Sequence, residues 1–115
     1  MAESNPEELV LLGIKSYEKQ DFSKARKYFE KACDLKDSRG CGALGLLYEN
    51  GEGVEKNLTK AAHFYSKACD LNNNKGCFNL GALYLEKDSK KAAALFEKAC
   101  KLGNQLACEM LKLLR

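Results

Sequence analysis

Six cysteines form three pairs with a single spacing: Cys33 and Cys41, Cys69 and Cys77, Cys100 and Cys108. Each pair opens on the same phrase, Lys-Ala-Cys-Asp-Leu at 31–35 and at 67–71, then Lys-Ala-Cys-Lys-Leu at 98–102. Two residues eight apart on one straight helix lie about 12 Å apart, beyond the Cα separation that a disulfide spans. A bridge inside each pair therefore requires the chain to turn there, stapling the end of one helix to the start of the next. Repetition of that device makes the chain a repeat array, and it favours the sequential pairing over the other connectivities that six cysteines allow.

Two other uses of cysteine fit less well. Zinc sites want ligands two to four residues apart in paired clusters, usually with histidine, whereas the spacing here is eight and His63 is the only histidine. Buried free thiols pack as small hydrophobes, which does not account for a partner recurring at a fixed offset. No metal and no cofactor is expected.

A chain of 115 residues, 45% hydrophobic and 30% charged, is an ordinary globular composition and too short for more than one compact unit or a short solenoid. Its net charge of +3 comes from Lys and acidic residues interleaved along the chain, which argues against nucleic acid or an anionic membrane as partner. No apolar run reaches the length of a membrane span. The opening Met-Ala-Glu-Ser-Asn lacks the charged and apolar regions of a signal peptide, yet disulfides persist in oxidising compartments. The expectation is a secreted or periplasmic protein whose leader is absent from this chain, either because it has been removed or because the chain was built for expression.

Leu-Gly pairs recur at 12–13, 44–45 and 80–81 within segments of helical periodicity. Downstream lie Ala25, Phe29 and Ala32, then Ala61, Tyr65 and Ala68, then Ala92, Phe96 and Ala99, offsets of four and three that share one helical face. Glycine inside a helix costs about 1 kcal/mol relative to alanine, and a repeated cost of that kind points to a second helix packed close against the glycine. Each unit is thus a helix A carrying Leu-Gly and a helix B carrying an alanine and aromatic core stripe.

The predicted helices run at about 6–19, 22–35, 38–50, 57–71, 74–86, 89–102 and 104–114. Asn5-Pro6-Glu7-Glu8 reads as a helix start, Asp21 and Asp88 stand where B helices begin, and Asn57 reads as a cap. The units span about 6–36, 37–72 and 73–103, followed by a capping helix at about 104–115. At the third pair the residue after the aligned leucine is Lys112 rather than glycine, and Leu9 stands where a cysteine would precede Leu12. Both departures suit terminal capping units.

The Leu-Gly, aromatic and alanine pattern resembles the tetratricopeptide repeat, and its finer match is the Sel1-like repeat. The segment Leu44-Gly45-Leu46-Leu47-Tyr48-Glu49-Asn50-Gly51-Glu52-Gly53-Val54-Glu55-Lys56-Asn57, running into Ala61 and Ala62, looks like that family's long A-to-B turn. With the cysteine spacing, the chain is similar to the Helicobacter cysteine-rich proteins. The resemblance implies an all-α, right-handed α/α solenoid that binds a protein or peptide as a monomer, and a weak β-lactam-binding or β-lactam-hydrolysing activity as the alternative. A scaffold with no native ligand, trimmed or engineered, is a third reading. The first and third units depart from the pattern, since they lack the Gly-x-Gly-Val turn.

Catalytic motifs are sparse. Ser16-Tyr17-Glu18-Lys19 matches Ser-x-x-Lys, but neither Ser-Asp-Asn nor Lys-Thr-Gly accompanies it. His63 and Cys69 fall on different sides of one predicted helix and do not pair. Gly51-Glu52-Gly53 follows a helix and lacks the lysine of a phosphate loop. The resemblance instead points to the A helices, whose groove-facing positions map to Arg39, Gly42, Leu46, Glu49 and Asn50, and to Lys75, Phe78, Asn79, Ala82, Leu85 and Glu86. Basic and amide donors beside apolar side chains suit an extended peptide or a chain terminus.

Overall fold

The computed structural model describes residues 5–115. The reading of the first residues as leaderless rests in part on residues 1–4, which lie outside the described residues. The elements are α1 (Pro6–Glu18), α2 (Phe22–Asp34), α3 (Ser38–Asn50), α4 (Leu58–Asp70), α5 (Asn74–Tyr84), α6 (Ser89–Lys101) and α7 (Gln105–Leu114). Each starts behind an Asn or Asp whose side chain accepts a first-turn backbone N–H: Asn5, Asp21, Asp37, Asn57, Asn73, Asp88 and Asn104. Such a cap satisfies a donor that the helix cannot satisfy itself and contributes about 1 kcal/mol. Helix α5 ends at Tyr84, two residues short of the sequence expectation, because the Tyr84 carbonyl accepts from Lys87 and Asp88 N–H at 3.0 and 2.8 Å and closes a tight turn.

The B-to-A joints share one geometry. Lys36 N–H donates to Cys33 O at 2.9 Å and Asp37 N–H to Ala32 O at 3.0 Å, the paired closure of a Schellman motif. The same bonds recur from Asn72 to Cys69 and Asn73 to Ala68, and from Gly103 to Cys100 and Asn104 to Ala99. The second residue of each closure is also the N-cap of the next helix, so one helix ends and the next begins with no slack between them. That brings the cysteines of each pair to Cα separations of 4.6, 4.5 and 4.7 Å, and all three disulfides form: Cys33–Cys41, Cys69–Cys77 and Cys100–Cys108.

Every helix packs on the next in sequence, and beyond that α1 meets α3 and α3 meets α5. The odd-numbered A helices therefore line the inner side of a right-handed solenoid of 51 × 27 × 20 Å, with the B helices outside. Between layers, the aromatic residue of each B helix lies against the glycine of its A helix. Carbon added at Gly45 would stand 2.7 Å from the Tyr65 ring, at Gly81 3.0 Å from Phe96, and at Gly13 would clash with the Phe29 ring. Burying such a ring contributes about 1.5–3 kcal/mol, more than the roughly 1 kcal/mol that a helical glycine costs. Ala25, Ala32, Ala61, Ala68, Ala92 and Ala99 are fully enclosed, completing the stripe expected from the offsets.

Side-chain bonds tie neighbouring helix pairs. The Asn73 amide donates to Ser38 Oγ at 3.2 Å, and one step along the array the Asn104 amide donates to Asn74 Oδ1 at 3.0 Å. The phenol of Tyr17 on α1 donates to the Glu52 carboxylate in the α3–α4 turn at 2.9 Å. No helix among the described residues is long and apolar enough to cross a membrane.

Candidate functional site

The inner face is set by register. Aligning the Leu-Gly pairs places Ile14, Leu46 and Ala82 at one position of α1, α3 and α5. Ile14 and Leu46 are 44% and 40% exposed, Ala82 is exposed, and Leu11, one turn earlier on α1, is 54% exposed. A stripe of apolar side chains thus runs across the helices on the side where α1, α3 and α5 approach one another. Leu11 and Ile14 were not among the groove positions read from the sequence. Their signal was the alignment of Leu12-Gly13 with the two later pairs.

At the N-terminal edge of these helices, the aligned positions carry Glu7, Arg39 and Lys75, all exposed. The Arg39 guanidinium donates to both carboxylate oxygens of Asp37, at 3.0 and 2.7 Å, while the same carboxylate accepts Arg39 N–H. These bonds, led by the guanidinium, hold the Asp37 carboxyl below the ordinary aspartate range. Nε and one terminal nitrogen of the Arg39 guanidinium are thus engaged at the cap of its own helix.

At the other edge, the Tyr65 phenol reaches up from α4 to the Glu49 carboxylate at 2.5 Å. Burial first, and then this acceptor, push the phenol well above its ordinary value. Asn50 is exposed and its amide donates to Glu52 at 3.3 Å. Phe78, expected to face the groove, is half-buried with its ring 5.5 Å from that of Phe96, and Leu85 packs on the same core cluster. Asn79 is half-buried and Gly42 leaves space toward Ala68. The structure thus gathers Arg39, Leu46, Asn50, Lys75 and Ala82 on the accessible face, and draws Glu49, Phe78 and Leu85 partly into the packing.

Ser16 is 7% exposed and its hydroxyl donates to Leu12 O at 2.9 Å, a bond to its own helix. Around it lies a small recess of about 160 Å³ lined by Lys15, Lys19 and Lys24 among others.

Paired helices with glycine-to-ring packing, short capped joints and an inner face built from alternate helices define an α/α repeat protein of the tetratricopeptide type. A family model described as "Sel1 repeat" matches residues 10–37, 38–73 and 75–104, and the chain belongs to the Sel1 repeat family. It is 67% identical over 58 residues to HcpC of Helicobacter pylori, covering 50% of this chain and 20% of HcpC. To "Beta-lactamase HcpA" of the same organism it is 57% identical over 58 residues, covering 50% of this chain and 23% of HcpA. The matched segment thus spans only about a fifth of the length of these relatives. Among solved structures, a Sel1 repeat protein from Oxalobacter formigenes superposes with a TM-score of 0.89 at 26% identity, over 95% of this chain and 48% of that one. Helicobacter pylori cysteine rich protein B superposes with a TM-score of 0.74 at 37% identity, over 92% of this chain and 94% of the other.

Proposed function

We infer that the chain is a disulfide-stapled, monomeric binding module that takes an extended protein segment along the inner face of α1, α3 and α5. The observation that carries this reading is the aligned exposure of Ile14, Leu46 and Ala82 with Leu11 beside them. Apolar side chains stacked across successive repeats offer successive pockets to alternate residues of a peptide, while Lys75, Arg39, Asn50 and Asn79 supply charge and hydrogen bonds at the margins. Affinity for an isolated peptide is modest, because ordering a flexible chain opposes binding. The three bridges suit an oxidising compartment, which favours a secreted or periplasmic setting.

A peptide library screened against the wild type and against an Ile14→Ser, Leu46→Ser variant tests the assignment. Hits are expected to lose binding to the variant while its melting temperature holds, since both side chains face solvent. Equal binding by the two proteins would defeat it.

The designation of HcpA supports β-lactam hydrolysis as the alternative activity. Ser16 would be its nucleophile by motif, yet the hydroxyl is buried and bonded to Leu12 O. Turnover of a chromogenic cephalosporin that disappears in Ser16→Ala would establish that reading. Turnover unchanged by the substitution would exclude Ser16 as the nucleophile.

A further inference from the structure

A second concavity lies between α4, α5 and α6, built from side chains other than the Ile14, Leu46 and Ala82 stripe. Its volume of about 460 Å³ falls within the range of small-molecule sites. Leu58, Leu80 and Tyr84 form an apolar floor and His63, Lys87 and Lys91 contribute polar groups, whereas no Asp or Glu among the described residues lines it. The Lys91 ammonium sits 4.2 Å from the centre of the Tyr84 ring, which anchors one cation over the floor.

The preceding helix pair shows why this space is open. The residues aligned with Ala62 and Ser66 are Arg26 and Glu30, which pair across the helix surface at 3.2 Å. The connection from α3 to α4 runs over 51–57 and lays Gly53 on the start of α2, where an added carbon would stand 2.6 Å from the Phe22 backbone. The connection from α5 to α6 is only 85–88, so nothing equivalent covers the start of α4. Leu58, aligned with Phe22, is left 46% exposed, and Leu83 is half-buried where its counterpart Leu47 is fully enclosed. Two small residues and a short turn together leave a pocket where the previous repeat has a filled surface.

We propose that this pocket binds a small organic carboxylate with an apolar body, its anion at Lys87 and Lys91 and its hydrocarbon part on Leu58, Leu80 and Tyr84. Charge complementarity selects the anion, since the lining carries two lysines and no Asp or Glu. The floor selects an apolar body over a bare anion.

The probe is 4-phenylbutyrate, titrated into the oxidised protein and followed by amide chemical shifts, with butyrate and 4-phenylbutylamine as controls. Saturable shifts are expected in the segments 58–66 and 80–91 with phenylbutyrate, and only weak, non-saturating ones with either control. Lys87→Ala, Lys91→Ala should weaken binding by roughly tenfold or more. Ala62→Arg, which restores the residue of the preceding repeat, should block the pocket. The lysine variant changes only exposed side chains, so it remains informative if Ala62→Arg fails to fold. Absence of saturable shifts, equal binding of the amine or of butyrate, or shifts confined to α1 and α3 would each overturn the proposal.

Discussion

Gly45 lies directly beneath the Tyr65 ring, where a single added carbon would stand 2.7 Å from two ring atoms and 3.2 Å from the Ala61 carbonyl oxygen. At Gly81 the corresponding approach to Phe96 is 3.0–3.2 Å, with no backbone atom among its three nearest neighbours. The two sites differ in how far the neighbour must yield.

Gly45→Ala should therefore destabilise more than Gly81→Ala, although alanine is intrinsically the better helix former by about 1 kcal/mol. Gly81→Leu should cost about 1–3 kcal/mol or more through overpacking. Chemical denaturation of the three variants ranks them, and a stabilised Gly45→Ala protein would refute the packing account.

Each disulfide closes a loop with a sequence separation of 8. Loop entropy assigns about 2.5 kcal/mol to such a closure. Reduction should lower the melting temperature clearly while much of the helical circular dichroism persists, because the Schellman bonds and N-caps at the joints involve no sulfur. Thermal scans with and without reductant at two wavelengths provide the check.

Lys36 adopts φ 66° and Asn72 φ 66°, whereas Gly103 holds the same joint at φ 101°. The left-handed conformation costs an ordinary residue roughly 1–2 kcal/mol, and glycine loses about 0.4–1 kcal/mol of that gain through the freedom it adds to the unfolded chain. Lys36→Gly should stabilise by about 0.5–1 kcal/mol, and Asn72→Gly by less, since asparagine tolerates this region. A destabilised Lys36→Gly protein in urea titration would contradict the prediction.

The two edges of the inner face respond to pH in opposite senses. Folding lowers the Asp37 value, so its contribution is complete above the unfolded aspartate range near pH 4 and is lost as pH falls through the folded value. Folding raises the Tyr65 value, so its contribution is complete below about pH 10 and is lost as pH rises beyond that. Asp37→Asn should flatten the acid limb of melting temperature against pH and Tyr65→Phe the alkaline limb. An acid limb unchanged by Asp37→Asn, or an alkaline limb unchanged by Tyr65→Phe, would remove that residue from the account.

The helix pairs and the bridges were legible because they are written in strong, repeated signals: Leu-Gly against an aromatic, and a lysine-alanine-cysteine phrase at every joint. The joint conformation was harder to read, since only Gly103 advertises a left-handed residue, while Lys36 and Asn72 hide it in side chains that do not prefer it. Asp37, Asn73 and Asn104 passed unnoticed as caps for a related reason: they double as the last residue of the preceding turn. Leu11 and Ile14 were missed because the groove positions were mapped on the second and third units alone. The pocket over α4 could not be read from any one segment, since it exists through what Ala62, Ser66 and the short 85–88 turn fail to fill.

The covalent joints also determine how the array would respond to tension. With residues 33–41, 69–77 and 100–108 each closed on itself, a pulling force applied at the two ends cannot draw those stretches out. Length can be released only by peeling A from B helices, beginning where the connection is least braced. Unfolded under load, the oxidised chain would reach a shorter contour than its reduced form, and a force-extension trace reads that difference directly.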